Sequence, residues 1–204
     1  MSIALIGGAG EGLGAALGRR FAKSHDVVLS SRTRGERADL RDKKQVIDLF
    51  ERVEKRGPID VAIFNAGAHF RGAIVDTPAD TFEEVWRLAC YAGFLFGREA
   101  ARRMLPRGKG TILFTGATAS MRGSANFAAF AAAKGALRQV AQSMARELGP
   151  KGIHVAHVVI DGRIGSAQDM LATGAIAELY WQLHAQPRSA WTFEADLRPF
   201  AEKF

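Results

Sequence analysis

A cluster of glycines near the start of the chain is the feature that most constrains its fold. It follows a short apolar run, residues 2–6, and precedes a segment with apolar residues at helical spacing, so the pattern predicts a strand, a turn and a helix. Glycines at such a turn let backbone N–H groups and the helix N-terminus approach a pyrophosphate. The alternative is a turn that is merely flexible. That alternative does not explain so many glycines, because each of them loses conformational entropy when the chain folds. The residues expected to line a dinucleotide are Gly8, Gly10, Gly12, Leu13 and Gly14.

The rest of the chain alternates between strand and helix patterns. Apolar runs predict strands at residues 27–29, 59–64, 111–115 and 153–160, with a short last strand near 190–193. Helical periodicity follows Asp42, runs from Thr77 to Leu105 and from Ala125 to Leu148, and returns near residues 176–183. With no internal repeat or linker, this order predicts one α/β domain over residues 1–204, doubly wound and Rossmann-like, with a mostly parallel sheet.

Two of the predicted helices have recognisable starts. Asp42 and Gln45 have the spacing of a capping box. Thr77 and Pro78 predict a cap residue followed by proline at the first helical position.

The connection after the second strand is too short for a helix. Only about three residues separate Arg32 from the next strand pattern, residues 36–40, whereas a helical crossover between parallel strands needs ~10 to 12. The third strand is therefore either reached by a turn or absent, and the fold is predicted to be abridged at this point.

The same connection indicates the type of dinucleotide. An NAD site places an acidic residue ~20 positions beyond the glycine loop to bind the adenosine ribose. This chain has Ser31 and Arg32 there, which suit a 2′-phosphate, so NADP is the expected cofactor and NAD the alternative. A solvated loop arginine is the competing interpretation of Arg32, and Glu11 in the glycine loop argues mildly against an additional phosphate.

Composition narrows the compartment and the partners. The single cysteine, Cys90, cannot form an internal disulfide or a structural zinc site and is typical of a reducing compartment. No basic leader or run of roughly 18 apolar residues occurs, so we expect a cytoplasmic protein with no membrane partner and no metal. The net charge of +7 favours polyanions. The basic residues are scattered along the chain, however, so nucleic acid is not an expected partner.

With these features the chain resembles the short-chain dehydrogenase/reductase family over essentially its whole length. The glycine spacing of residues 8–14 matches the family's loop, and Asn65-Ala66-Gly67 is similar to its Asn-Asn-Ala-Gly motif. Asp39-Leu40 looks like the start of the family's acidic pair after the third strand, whose aspartate contacts the adenine. The resemblance therefore implies cofactor contacts at Asp39, Leu40, Asn65, Ala66, Gly67 and Lys134.

The family's catalytic Asn-Ser-Tyr-Lys set survives only at the lysine. Lys134 matches, but Phe130 occupies the tyrosine position, Ala117 the serine position and Cys90 the asparagine position. A related branch of enoyl reductases has its tyrosine seven residues before the lysine, where this chain has Phe127. Positioned acid-base groups typically contribute about 10²- to 10⁴-fold in rate, so the losses put catalysis in question.

Lys134 and His69 are the remaining candidates for catalytic residues. Lys134 lies on the apolar stripe of its predicted helix; the resemblance implies bonds to the nicotinamide ribose, and snorkelling to water is the alternative. His69, just beyond Gly67, is a candidate proton donor, with a solvated loop histidine as the alternative. Further candidates are Tyr91, Thr115, Thr118 and Ser120.

These observations leave two functions open. One is an NADP(H)-dependent oxidoreductase acting on an unknown small carbonyl or alcohol with a degenerate catalytic set. The other is a catalytically inactive NADP(H)-binding sensor or assembly protein of the same fold. We also expect a homodimer or homotetramer, because the helices at residues 82–104 and 125–148 are rich in alanine and glycine. Small residues permit close approach of another subunit, and the resemblance implies a four-helix interface.

Overall fold

The computed structural model describes residues 2–202 and contains one sheet between two helical layers. The strands are β1 (Ile3–Gly7), β2 (Asp26–Ser31), β3 (Glu36–Arg37), β4 (Ile59–Phe64), β5 (Gly110–Thr115), β6 (Ile153–Ile160) and β7 (Glu194–Leu197). The helices are α1 (Leu13–Phe21), α2 (Lys43–Glu54), α3 (Ala79–Trp86), α4 (Ala92–Met104), α5 (Ala128–Leu148) and α6 (Thr173–His184), and a π-turn, Arg87–Tyr91, joins α3 to α4. The strands pair in the order β3-β2-β1-β4-β5-β6-β7, all in parallel, which confirms the predicted α/β class.

Both faces of the sheet are buried, as expected when helices cover a parallel sheet. Along β1, Ile3 and Leu5 belong to the core beneath α2, α4 and α5, whereas Ala4 and Ile6 belong to the core beneath α1 and α6. Each large aliphatic side chain buried in this way contributes roughly 1.5–3 kcal/mol. Within residues 2–202, none of the helices combines the length and apolar character needed to cross a bilayer.

The short connection between β2 and β3 is a turn, which was one of the two alternatives. The hydroxyl oxygen of Ser31 accepts hydrogen bonds from the backbone N–H groups of Thr33 and Arg34, at 3.3 and 2.8 Å. Gly35 has a φ of 63°, and a Cβ at this position would lie 2.1 Å from the carbonyl oxygen of Leu29. Glycine is therefore required for the chain to turn back so tightly.

Two helix starts differ from the prediction. α5 begins at Ala128 rather than Ala125 because Asn126 has a φ of 68°, outside the right-handed helical region. At α3 the cap residue is Pro78, and the hydroxyl of Thr77 donates to a carbonyl of the preceding turn instead of capping the helix. The predicted cap was thus wrong by one residue.

The capping box at α2 is half present. Asp42 Oδ1 accepts a hydrogen bond of 3.0 Å from the backbone N–H of Gln45, as predicted. The reciprocal bond differs, since Gln45 Oε1 accepts from the N–H of Asp39, at 2.9 Å. The start of α2 therefore also positions Asp39.

The last strand lies a few residues beyond the predicted 190–193. Residues 188–190 form a 3₁₀ turn. The side chain of Gln186 then accepts the N–H of Thr192 at 2.8 Å, and Trp191 stacks on His154. These contacts hold residues 191 and 192 against the side chain of His154 in β6, and backbone pairing starts where the N–H of His157 donates to the carbonyl of Phe193, so β7 begins at Glu194.

Candidate active site

Two adjoining cavities lie at the edge of the sheet where β1, β4 and β5 end. The turn cavity, about 460 Å³, lies beside the glycine loop and is lined by Gly8, Ala9, Gly10, Glu11, Ser31, Arg32, Thr33, Arg34, Ala38, Asp39, Leu40, Asn65, Ala66, Gly67 and Leu88. The lysine cavity, about 620 Å³, is lined by Leu13, Asn65, Gly67, Ala68, His69, Thr115, Gly116, Ala117, Thr118, Ala119, Ser124, Phe127, Phe130, Lys134, Ile160, Gly162 and Ile164. Asn65 and Gly67 belong to both and mark the junction.

The glycines of the loop occupy positions with different structural requirements. Gly8 has a φ of 79°, and a Cβ there would lie 2.4 Å from the backbone nitrogen of Ala66. Gly14 is buried, with its Cα side against Ala9, and Gly12 is the cap residue of α1. Neither Gly12 nor Gly14 lines the turn cavity or the lysine cavity, so their predicted contribution to a phosphate site is through the backbone path and the helix start.

The residues predicted to select the cofactor lie together around the turn cavity. Arg34 forms an ion pair of 2.5 Å with Glu11, which offsets the negative charge that argued against a phosphate. Arg32 is exposed and forms no ion pair with the described residues. The hydroxyl of Ser31 is already engaged in the β2–β3 turn. Arg32 is therefore the one of the two predicted phosphate ligands whose polar atoms are uncommitted within residues 2–202.

Asp39 lies in the turn cavity wall, but its carboxylate is bound by Arg41. The two side chains form a bidentate pair with a shortest distance of 2.7 Å. Hydrogen bonds from Arg41 lower the pKa of Asp39, so the carboxylate stays ionised. It can accept further hydrogen bonds from a ligand, as the family resemblance implies for the adenine.

Lys134 is buried at the junction side of the lysine cavity. Its side chain points inward from α5, the residue is 5% exposed, and Nζ donates a hydrogen bond of 2.7 Å to the carbonyl oxygen of Thr115. A Cβ on Gly67 would lie 3.4 Å from Nζ, so the ammonium lies directly beside the Asn65-Ala66-Gly67 loop. Burial lowers the pKa of Lys134 to about 8. The alternative of snorkelling to water was wrong.

A chain of hydrogen bonds connects the two cavities. Tyr180 from α6 is bonded through its hydroxyl to Thr115 Oγ1 at 2.7 Å, and Thr115 donates to Asn65 Oδ1 at 3.0 Å. Asn65 in turn donates to the carbonyl of Gly8 at 3.2 Å. This chain fixes the side chain of Asn65, and Tyr180 is a member that the sequence did not suggest.

The two positions that the sequence resemblance aligns with the family's serine and tyrosine both face the lysine cavity. Ala117 and Phe130 line it and supply no hydroxyl. The hydroxyl of Thr115 is committed to Asn65, and that of Thr118 donates to Asp161 at 2.5 Å. Neither threonine therefore has a free proton for a substrate.

The candidates Ser120 and Tyr91, and Cys90 at the family's asparagine position, lie outside the cavity wall. The buried hydroxyl of Ser120 accepts the N–H of Ala117. Tyr91 stacks on Trp86, and Cys90 is buried inside the π-turn, where burial raises the pKa of its thiol. None of these three is positioned to donate a proton into the cavity.

His69 lies in the cavity wall between two aromatic rings. Its ring centroid is 5.2 Å from that of Phe127 and 5.2 Å from that of Phe130. The backbone N–H of Gly72 donates to the carbonyl of Asn126 at 2.9 Å and so ties the His69 loop to the start of α5. The structure thus brings His69 beside the position where the family has its tyrosine.

Comparisons with known proteins agree with this architecture. The profile described as short chain dehydrogenase matches residues 2–166. The 3-oxoacyl-[acyl-carrier-protein] reductase MabA of Mycobacterium avium is 32% identical over an alignment of 169 residues, and the match covers 78% of this chain and 66% of MabA. This chain therefore matches just under two thirds of MabA's length.

Solved structures of the same class superpose closely. The crystal structure of a short-chain dehydrogenase from Rhodopseudomonas palustris has 42% identity and a TM-score of 0.91, covering 98% of this chain and 99% of that one. A metagenomic short-chain oxidoreductase in complex with NADP shares the fold at 23% identity and a TM-score of 0.87, covering 97% of both chains. Together with the profile match, these likenesses show that the chain belongs to the short chain dehydrogenase family.

Proposed function

We propose that this chain is an NADP(H)-dependent oxidoreductase acting on a small carbonyl or alcohol with a degenerate catalytic set. The observation that carries the proposal is the buried ammonium of Lys134 where the two cavities adjoin. A buried charge without an ionic partner is costly, and Lys134 forms no ion pair with the residues described. A ligand with hydroxyl acceptors at this junction would compensate that cost.

The residues present fit a nicotinamide dinucleotide. The turn cavity has a backbone cradle that a Cβ on Gly8 would fill, the N-terminus of α1 and an uncommitted Arg32, which together suit the adenosine and phosphate half. Asn65 and Lys134 would hold the nicotinamide half at the junction. A reduced nicotinamide, when bound, supplies a hydride, that is, one proton together with two electrons.

Two side chains are candidates for donating a proton to the substrate oxygen. Lys134 keeps its ammonium next to the cavity, and a pKa near 8 leaves it mostly protonated at neutral pH. His69 presents an imidazole at the Phe130 side of the same cavity. Both are candidates for orienting or protonating a substrate oxygen, in place of the absent tyrosine and serine.

The absence of hydroxyls at positions 117 and 130 favours a second candidate function, a cofactor-binding protein without catalysis. A titration with NADPH, combined with NADPH oxidation over a broad panel of carbonyl compounds, distinguishes the two. Binding with turnover of any carbonyl supports the oxidoreductase. Binding without turnover supports the second function, and failure to bind NADPH or NADH contradicts both.

We expect NADPH to bind more tightly than NADH, and Arg32→Ala to remove most of that preference. A hydrogen bond to a charged group typically contributes about 1.5–3 kcal/mol, so the loss for NADPH is roughly 10- to 100-fold, with little change for NADH. Isothermal titration measures both. Arg19→Ala, an exposed arginine outside the turn cavity, is the matched control. Equal affinities in the wild type, or an unchanged preference in Arg32→Ala, would refute the phosphate assignment.

We further propose a homodimer or homotetramer formed through residues 82–104, from the end of α3 to α4, and through residues 125–148, which include α5. Phe82, Trp86 and Phe94 are each 38–39% exposed on the α3–α4 surface, which is unusual for large aromatic side chains. Light scattering at micromolar concentration is expected to give a multiple of the monomer mass, and Phe94→Glu is expected to lower it. A monomeric wild type would rule the proposal out.

A further inference from the structure

The lysine cavity combines a buried cation with a shortage of proton donors. Of the described hydroxyls that line it, those of Thr115 and Thr118 are committed to Asn65 and Asp161. Ser124 is exposed at the rim. The family positions for an acid and its partner carry a benzyl and a methyl group. The lysine cavity is therefore poorly suited to a substrate whose oxygen must be protonated by a positioned acid as it is reduced.

Part of the cavity wall is aromatic and aliphatic, and the His69 ring is tilted by 59° and 60° to the rings of Phe127 and Phe130. His69, Phe127 and Phe130 form one wall, with the His69 ring 5.2 Å from each phenyl ring. Ile160 and Ile164 line the cavity as well. Aromatic walls favour a planar, conjugated ligand, because offset or edge-to-face ring contacts add to the simple burial of apolar surface.

We propose that the substrate class of this site is a quinone, a planar conjugated dicarbonyl; the inference rests on the proposed function. The quinone would take a hydride, which is one proton with two electrons, from NADPH and one further proton from Lys134, His69 or water, and would leave as the hydroquinone, while NADPH becomes NADP⁺. The first reduction product is a hydroquinone monoanion.

The stability of that anion explains why the cavity lacks a strong acid. Reduction of a simple ketone places the charge on one oxygen as an alkoxide, a strong base that must be protonated as it forms. In a hydroquinone monoanion the charge spreads over the conjugated ring, so protonation can follow later from solvent. The buried ammonium of Lys134 would stabilise the developing negative charge electrostatically.

A binding experiment tests the ligand class without turnover. The protein is first saturated with NADP⁺, which cannot reduce a quinone, and is then titrated calorimetrically with menadione or with 1-decalone, a saturated bicyclic ketone of similar size. We expect menadione to bind and 1-decalone to bind more weakly. Phe127→Leu is expected to weaken the binding of menadione roughly 3- to 10-fold. The binding of 1-decalone should weaken less, because only the planar ligand loses a ring contact. Phe82→Leu, at a phenylalanine of α3 that does not line the lysine cavity, is the matched control.

Turnover completes the test. Under anaerobic conditions, with the reaction lacking protein subtracted, NADPH oxidation by menadione should exceed that by 1-decalone at equal concentration by at least about tenfold. Equal binding of the two ligands, or equal rates, would overturn the quinone proposal. If NADP⁺ and NADPH bind but menadione neither binds nor reacts, the quinone proposal alone fails. If neither form of the cofactor binds, the proposed function fails first and the quinone proposal with it.

Discussion

Phe130→Tyr combined with Ala117→Ser is expected to raise the rate of simple ketone reduction by about 10²-fold or more. Both positions line the lysine cavity, and Phe130 precedes Lys134 by one helical turn of α5. The new phenol would therefore lie close to a buried ammonium that favours its ionised form, which turns it into a usable acid. The new serine would provide a hydrogen bond for the substrate oxygen.

NADPH oxidation with a simple cyclic ketone measures the effect, after circular dichroism has shown that the variant is folded. A buried hydroxyl without a partner costs about 1–3 kcal/mol, but both positions border an open cavity, which limits this cost. Adding Lys134→Met to the double variant is expected to remove most of the gain. On the quinone proposal, the ratio of ketone to quinone turnover should also rise.

Brisk ketone reduction by the wild type would contradict this prediction, and so would a folded double variant with no gain. The missing tyrosine would then not limit the protein, and the proton would have to come from another group. His69 is the first to replace, as His69→Gln, because its ring borders Phe130 in the cavity wall.

The sequence predicted those parts of the molecule that depend on local patterns. Apolar runs alternating with helical periodicity give the strands and helices, and parallel crossovers then place the ends of β1, β4 and β5 at one edge. That edge brings the glycine loop, Asn65 and Lys134 together around the two cavities. Even the short β2–β3 connection was limited to two outcomes by chain length alone.

Contacts between distant segments could not be read from the sequence. The pair between Glu11 and Arg34 depends on a turn whose shape is set by Gly35 and the Leu29 carbonyl. Tyr180 reaches Thr115 only because α6 packs beside α1 on the far face of the sheet. Such pairs have no periodic pattern, since each partner follows the pattern of its own element.

The helix starts that differ have a similar explanation. Asn126 adopts a positive φ at the point where its carbonyl accepts the N–H of Gly72 from a loop much earlier in the chain. Asparagine tolerates the left-handed conformation, but nothing in the residues around it indicates that this position uses it. The tertiary contact, and not local propensity, sets the start of α5.

The second large effect concerns stability: Lys134→Met is expected to stabilise the free protein near neutral pH and to weaken NADPH binding. Burial lowers the pKa of Lys134 from 10.5 in the unfolded chain to about 8. At about 1.36 kcal/mol per pH unit, this difference corresponds to a cost of about 3 kcal/mol for keeping the ammonium buried. The variant also loses the bond to the Thr115 carbonyl, so we expect a net gain of about 1–2 kcal/mol.

The pH dependence separates this cause from a general packing effect. Below pH 8 both folded and unfolded chains hold the Lys134 proton, and the full cost of the buried charge is present. Between pH 8 and 10.5 the unfolded chain holds the proton and the folded chain has lost it, so the wild type gains stability relative to Lys134→Met as the pH rises. The advantage of the variant in urea unfolding should therefore shrink across this window, while Lys55→Met, at an exposed lysine, should show no such change.

A constant difference between wild type and Lys134→Met across that window would mean that the buried ammonium is not what limits stability. If Lys134→Met is more stable than the wild type and binds NADPH with the same affinity, then cofactor binding does not explain the presence of a lysine at this position. The combination we expect is higher stability with weaker binding. It would follow from a charge that burial makes unfavourable in the free protein and that hydroxyl groups of a bound dinucleotide then compensate.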